Sequence, residues 1–175
     1  MKSILAVLVI ILIALIYSNR TLSEENSDLK KELTYSKSLK VNGIGGIFFK
    51  SKDPEAIKKW YYDNLGLVPN DYGSIFSFRK FDNPDVKGYL QWSPFGEKTK
   101  YFLPSEKDFM INYRVANMDE LVKELKTSGV TFTDTVESYE YGKFVHIMDP
   151  DGNKIELWEP VDSSFTNLYE EKTTY

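Results

Sequence analysis

The chain has 175 residues, 42% hydrophobic and 27% charged, with a net charge of -4 and a pI of about 5.2, enough for one core of ordinary domain size. The acidic balance excludes a nucleic-acid surface, which needs a basic footprint to neutralise phosphates. The lack of cysteine excludes disulfides, thiolate zinc sites and cysteine nucleophiles, and the 15% of aromatic residues favours a β-rich body.

Ile4 to Tyr17 is an uncharged apolar run behind Lys2. It falls short of the ~20 residues of a usual spanning helix, and no small-x-small cleavage site follows it. We read residues 1–20 as a transmembrane or signal anchor, with Lys2 and Arg20 snorkelling to the interfaces. The alternatives are a signal that is cleaved, giving a secreted protein, and a helix buried in protein. Lys2 ahead of the run places the N-terminus inside and the domain extracytoplasmic. Residues 21–40 are polar, lack Gly and Pro, and read as a helical stalk. Leu22, Leu29 and Leu33 recur at heptad-like spacing, so the stalk is either a solvated spacer or a short coiled coil making a homodimer.

Val41 to Phe49 has strand composition. Asp53-Pro54-Glu55 opens a helix, with Asp53 as N-cap and Pro54 at the first helical position. Ile57, Trp60, Tyr61 and Leu65 form its apolar face, and Gly66 stops it. Strands follow around Leu67–Val68, Ser74–Phe81 and Val86–Trp92. The same order then returns. Phe109 to Val115 is a strand, Asn117-Met118-Asp119-Glu120 starts a helix that buries Leu121, Val122 and Leu125, and Gly129 stops it. Strands follow near Val130–Val136, Lys143–Met148 and Asn153–Trp158. Trp92-Ser93-Pro94 at the end of the first unit matches Trp158-Glu159-Pro160 at the end of the second. The fold class is therefore α+β: two βαβββ modules, residues 41–95 and 109–160, forming a cleft in which a ligand can sit, behind an N-terminal hydrophobic helix. The polar tail, residues 161–175, reads as mobile.

Gly142 to Pro160 reads as a hairpin closed by Asp149-Pro150-Asp151-Gly152, which assigns Asp149 and Asp151 to the turn. Alternation puts Phe144, His146 and Met148 on one face, opposite Val145 and Ile147. Glu156 lies between Ile155 and Leu157, where a carboxylate is costly unless it faces water, a partner or a ligand. The plain reading is a carboxylate that is hydrated or paired with Arg114 or Lys50, beside a histidine hydrogen-bonded within the sheet. The functional reading makes Glu156 and His146, cross-strand neighbours, a catalytic pair for proton transfer. Met110, Asn112 and Arg114 share one strand face. With Phe48, Trp92 and Trp158 they form a ligand-binding set suited to a planar or amphipathic organic molecule. The loop from Phe95 to Asp108, which carries Tyr101 and Phe102, is either a lid or a joint between the modules.

The two modules, the end DPDGNKIELWEP (149–160) and the stretch KSKDPEAIKKWYYDNLGL (50–67) resemble the vicinal oxygen chelate superfamily. That superfamily includes glyoxalase I, extradiol dioxygenases, fosfomycin-resistance enzymes and bleomycin-binding resistance proteins. The resemblance covers Val41 to Pro160. It implies metal-ligand positions on the first and last strand of each module: Gly46, Leu90 or Gln91, Met110 and Glu156. Only Glu156 is an ordinary ligand for a hard divalent ion. No metal and no other cofactor is therefore expected, a divalent ion with unusual ligands being the alternative. The resulting expectation is a membrane-anchored glyoxalase-like domain holding a small organic molecule in a metal-free cleft. The alternative is a lyase or isomerase that uses Glu156 and His146.

Overall fold

The computed structural model describes residues 2–38, 41–81, 83–169 and 173–174, without the side chains of 2–11, 31–38, 167–169 and 173. The chain divides into two units, 1–39 and 40–175.

The first unit is one helix, α1 (Lys2–Ser38), in which the apolar run and the polar stretch are continuous. Among the described residues no helix is long and apolar enough to cross a membrane. The spanning anchor expected over residues 1–20 is not supported by this helix. The side chains of Ile4 to Ile11, and of Leu33 in the heptad-like series, lie outside the described residues. Leu22 and Leu29 are exposed.

The second unit runs β1 (Val41–Ser51), α2 (Pro54–Leu65), β2 (Pro69–Asn70), β3 (Gly73–Arg79) and β4 (Lys87–Gly96). It then runs β5 (Phe109–Val115), α3 (Met118–Thr127), β6 (Thr131–Phe132), β7 (Glu137–Tyr139), β8 (Gly142–Met148) and β9 (Lys154–Pro160), and ends with α4 (Asp162–Tyr169) and β10 (Thr173–Thr174). The expected βαβββ repeat is present, with the short β7 added to the second module. One mixed sheet carries the strands in the order β10-β3-β4-β1-β5-β9-β8-β6. Each module closes with a parallel pair, β1 with β4 and β5 with β9. The modules meet through the antiparallel pair β1–β5 of the same chain.

Local chemistry explains the ends of α2. The Asp53 side chain accepts from the backbone N–H of Glu55 at 3.1 Å and of Ala56 at 3.0 Å, satisfying two otherwise unpaired donors. Gly66 sits at φ 72°, a left-handed conformation that costs a residue without Cβ nothing. The second module packs the deeper core. Met118, Leu121 and Val122 of α3 bury against Val115, Val145 and Leu157, each side chain contributing roughly 1.5–3 kcal/mol by leaving water. The helix side of the sheet is thereby fixed, and Met110, Asn112, Arg114, Phe144, His146, Glu156 and Trp158 fall on the opposite face.

Two expectations are corrected here. Trp60, expected in the core, is 52% exposed, because Ile57 and Tyr61 turn toward the sheet and Trp60 rests edge-on against Tyr61. Trp92, expected in the cleft, packs on the helix side against Tyr61, with ring centroids 4.6 Å apart, and against Phe49. In the tail, read from the sequence as mobile, two segments take regular structure. Residues 162–169 are helical, and Thr173–Thr174 pair parallel with Ile75–Phe76.

Candidate functional site

The register aligns one row across five strands, on the face turned away from α3. Gln91 of β4 lies opposite Gly46 of β1, Gly46 opposite Asn112 of β5, Asn112 opposite Glu156 of β9, and Glu156 opposite His146 of β8. Between the two candidates on β4, the register with Gly46 selects Gln91 over Leu90. On β5 the residue in the row is Asn112. Met110, the position implied by the resemblance, is one pleat further along beside Phe48.

Glu156 is the hub of the row and is 2% exposed. Asn112 Nδ2 donates to Glu156 Oε1 at 2.6 Å. Glu156 Oε2 accepts from the Tyr101 hydroxyl and lies 2.9 Å from His146 Nε2. On the far side, His146 Nδ1 is 2.6 Å from Asp134 Oδ2, and the His146 backbone N–H donates to Asp134 Oδ1 at 2.8 Å. A neutral imidazole donates from only one nitrogen. Both ring contacts are hydrogen bonds when the ring carries two protons or one carboxyl carries one. Asp134, His146, Glu156 and Tyr101 thus form a continuous polar line.

Tyr101 comes from the segment joining the modules. Lys154 Nζ donates to the Tyr101 carbonyl at 2.8 Å, and burial pushes the Lys154 ammonium below its usual pKa. The Tyr101 ring stacks on Phe95 at 5.3 Å and stands edge-on to His146 at 5.5 Å. Burial first, and the Glu156 carboxylate second, raise the Tyr101 pKa, so this phenol stays a donor. Phe102 beside it is buried with Phe48 and Met110, and Ser105 Oγ donates to the Gly152 carbonyl at 2.7 Å. The joining segment therefore lies as a cover over Phe48 and Met110 and over the Glu156–His146 pair.

Arg114, two residues from Asn112 on the same strand face, is 3% exposed. Neither it nor Lys50 pairs with Glu156, as the plain reading of that carboxylate had it. Arg114 grips Asp162 of α4 with Nη2 at 2.9 and 2.7 Å and donates from Nη1 to the Tyr89 carbonyl at 3.1 Å. Its guanidinium lies 5.1 Å from the Trp158 ring centre and 5.6 Å from that of Phe78. Lys50 pairs instead with Asp108 at 3.1 Å.

Two glycines let these side chains close up. A Cβ on Gly45 would stand 2.2 Å from Asn112 Oδ1 and 2.6 Å from Trp158, and one on Gly46 would strike the Phe48 ring at 2.6 Å. Asn112 Oδ1, turned toward the Gly45 notch, is a buried acceptor with no hydrogen-bond partner among the described residues.

The structure thus brings Glu156, His146 and Asn112 together, with Arg114 and Trp158 alongside. Phe48 and Met110 lie on the same face but are packed under Phe102. Trp92 is on the other face. Asp134 and Asp162 were missed. The one sequence signal for Asp134 is a carboxylate set into the β-prone stretch Thr131–Val136.

The divalent metal implied by the resemblance does not fit this donor set. The row offers one carboxylate, one imidazole, two amides and a glycine, where such a centre takes about three strong ligands. Both Glu156 oxygens are engaged, and both His146 nitrogens face carboxylates. Among the described residues no group of three or more Asp, Glu or His side chains is set to hold a metal ion.

Comparison with known proteins accords with this architecture. The profile of the Glyoxalase/Bleomycin resistance protein/Dioxygenase superfamily matches residues 43–157, and the chain belongs to that superfamily. A Streptomyces coelicolor methylmalonyl-CoA epimerase variant in complex with 2-nitronate-propionyl-CoA is 13% identical, with a TM-score of 0.52 over 69% of this chain and 99% of that one. Methylmalonyl-CoA epimerase from Mycobacterium tuberculosis is 18% identical, with a TM-score of 0.47 over 72% and 93%. A superfamily member from Vibrio splendidus 12B01 is 15% identical, with a TM-score of 0.40 over 66% and 97%. At such identities the likeness is one of fold. No curated protein matches the sequence.

Proposed function

We propose that the domain binds a small organic molecule over the Asn112–Glu156–His146 row, without the metal of its superfamily, and that Tyr101 and its segment cover the bound molecule. The observation that carries this reading is the orphaned acceptor Asn112 Oδ1 in a cluster whose other polar atoms are paired. A buried acceptor left unpaired costs about 1–3 kcal/mol, and an N–H or O–H of a ligand would relieve that cost. Glu156 has a definite task here. By taking Asn112 Nδ2 it turns Oδ1 toward the Gly45 notch. Tyr101 covers Glu156 and stands edge-on to His146, so entry requires its segment to swing aside.

Native mass spectrometry of the full chain tests this reading. A single small molecule should copurify or be captured from a metabolite library at one per chain, and it should be lost in Asn112→Leu. Stoichiometric Zn, Mn, Ni or Fe that disappears in Glu156→Ala would overturn the metal-free part.

The continuous line Asp134–His146–Glu156–Tyr101 favours a second reading, a lyase or isomerase in which Glu156 and His146 exchange a proton with the substrate. Glu156 is buried beneath Tyr101, which holds its Oε2, so this reading also needs the cover to move. Turnover of an α-oxo or hemithioacetal compound, lost in both Glu156→Gln and His146→Ala, would support it. Unchanged turnover in both variants would end it.

A further inference from the structure

The Arg114 end of the face is already occupied by a piece of the chain that belongs to neither module. Asp162 lays a carboxylate across the Arg114 guanidinium at 2.9 and 2.7 Å, and Lys80 adds a second cation to the same carboxylate at 2.7 Å. One turn later Phe165 stacks on Tyr89, with centroids 5.6 Å apart, and sets its ring edgewise to Trp158 at 5.3 Å. A planar carboxylate and an aryl ring together are the recognition features of an aromatic carboxylic acid. What receives them is built: a buried arginine flanked by two rings, fixed by a backbone carbonyl and aimed along the face that carries Asn112.

We propose that Arg114, Lys80, Tyr89 and Trp158 form a subsite for an aromatic carboxylic acid, and that Asp162 and Phe165 of α4 occupy it as an internal stand-in until such a ligand displaces them. This rests on the reading that the face binds a small molecule. The strap is suited to leave. An isolated helix needs about 12–15 residues to persist in water, and α4 has 8, so it is helical because it is docked. Among the described residues its other side-chain contacts include the Thr166 and Tyr89 hydroxyls at 2.8 Å, Ser164 Oγ to the Glu140 carbonyl at 2.9 Å, and Phe165 edgewise to Tyr141 at 6.4 Å. A tethered carboxylate competes at an effective concentration in the millimolar range, which weakens any free acid in the intact chain.

Calorimetric titration of the full chain with phenylacetate, and with phenylacetamide as the uncharged control, tests the proposal. Asp162→Asn should bind phenylacetate at least tenfold more tightly than the wild type, and more tightly than it binds the amide. In the wild type, saturating phenylacetate should speed protease cleavage within residues 161–169. If Asp162→Asn does not fold, Phe165→Ala, which leaves both charges in place, serves the same comparison with a gain of several-fold. Equal phenylacetate affinity in variant and wild type overturns the proposal. So does equal affinity for acid and amide, and that result leaves the small-molecule reading standing, because the Asn112→Leu test does not depend on Asp162.

Discussion

The two modules share a plan and differ in what they carry on it. In the first, the central row holds Gln91 and Gly46, and the rest of the face is filled by Phe48 and Phe95 under Phe102. In the second, the same row holds Asn112, Glu156 and His146, backed by Asp134 and capped by Tyr101. The repeat therefore supplies a scaffold twice and polar chemistry once. Arg114 extends that asymmetry, since Lys50, the same distance ahead of the helix cap in the first module, pairs with the exposed Asp108 rather than with a group buried on the face. The second module also has the better-packed helix, so its polar groups rest on the more rigid backing.

Substitutions should expose this asymmetry in stability. The largest effect is expected at Arg114→Ala, which leaves Asp162 facing a lost partner and opens the gap between Phe78 and Trp158. A buried pair broken on one side costs about 3–5 kcal/mol, to be read by urea denaturation. Glu156→Leu strands the donors of Asn112 and Tyr101 and should cost roughly 3 kcal/mol, whereas Gln91→Leu in the same row should stay within about 1 kcal/mol. Equal losses at the two positions would erase the distinction between the modules. Gly45→Ala drives a methyl into Asn112 and Trp158 and should cost about 1–3 kcal/mol, while Gly96→Ala, with open space around its Cβ, should be nearly neutral.

Among substitutions within the polar line the smaller effect is at Tyr101. Tyr101→Phe removes one donor to Glu156 at a partly exposed position and should cost about 1 kcal/mol at neutral pH. Its alkaline behaviour is more telling. The folded chain holds the Tyr101 proton more tightly than the unfolded chain does, because of burial and the Glu156 charge. Both states keep the proton below about pH 10, and above it the unfolded chain releases its proton first. The wild type should therefore lose stability above that pH faster than Tyr101→Phe, as followed by thermal melting across an alkaline series.

Much of this layout was legible because it is local. The Asp53-Pro54 start, the Gly66 stop, the Asp149–Gly152 turn and the alternation that puts Glu156 beside His146 each depend on a few neighbouring residues. Trp92 went to the wrong face because the two Trp-x-Pro ends are out of phase. Trp92 follows its row residue Gln91 by one position, and Trp158 follows Glu156 by two. A shift of one residue reverses the face of a strand side chain. The partner of Arg114 was illegible for another reason. It is set by where the tail returns, and 48 residues separate Arg114 from Asp162. Asp134 met His146 through the placing of β6 beside β8, which strand composition does not specify.

The central claim is that the ligand is held by the row of the second module. The direct measurement is the affinity of one captured small molecule for the wild type, Asn112→Leu and Gln91→Leu by calorimetry on the full chain. The account predicts that Asn112→Leu weakens binding at least tenfold and that Gln91→Leu changes it less than about threefold, since one polar partner lost in a buried site is worth roughly 1–3 kcal/mol. Loss of binding in Gln91→Leu with Asn112→Leu unaffected would contradict it.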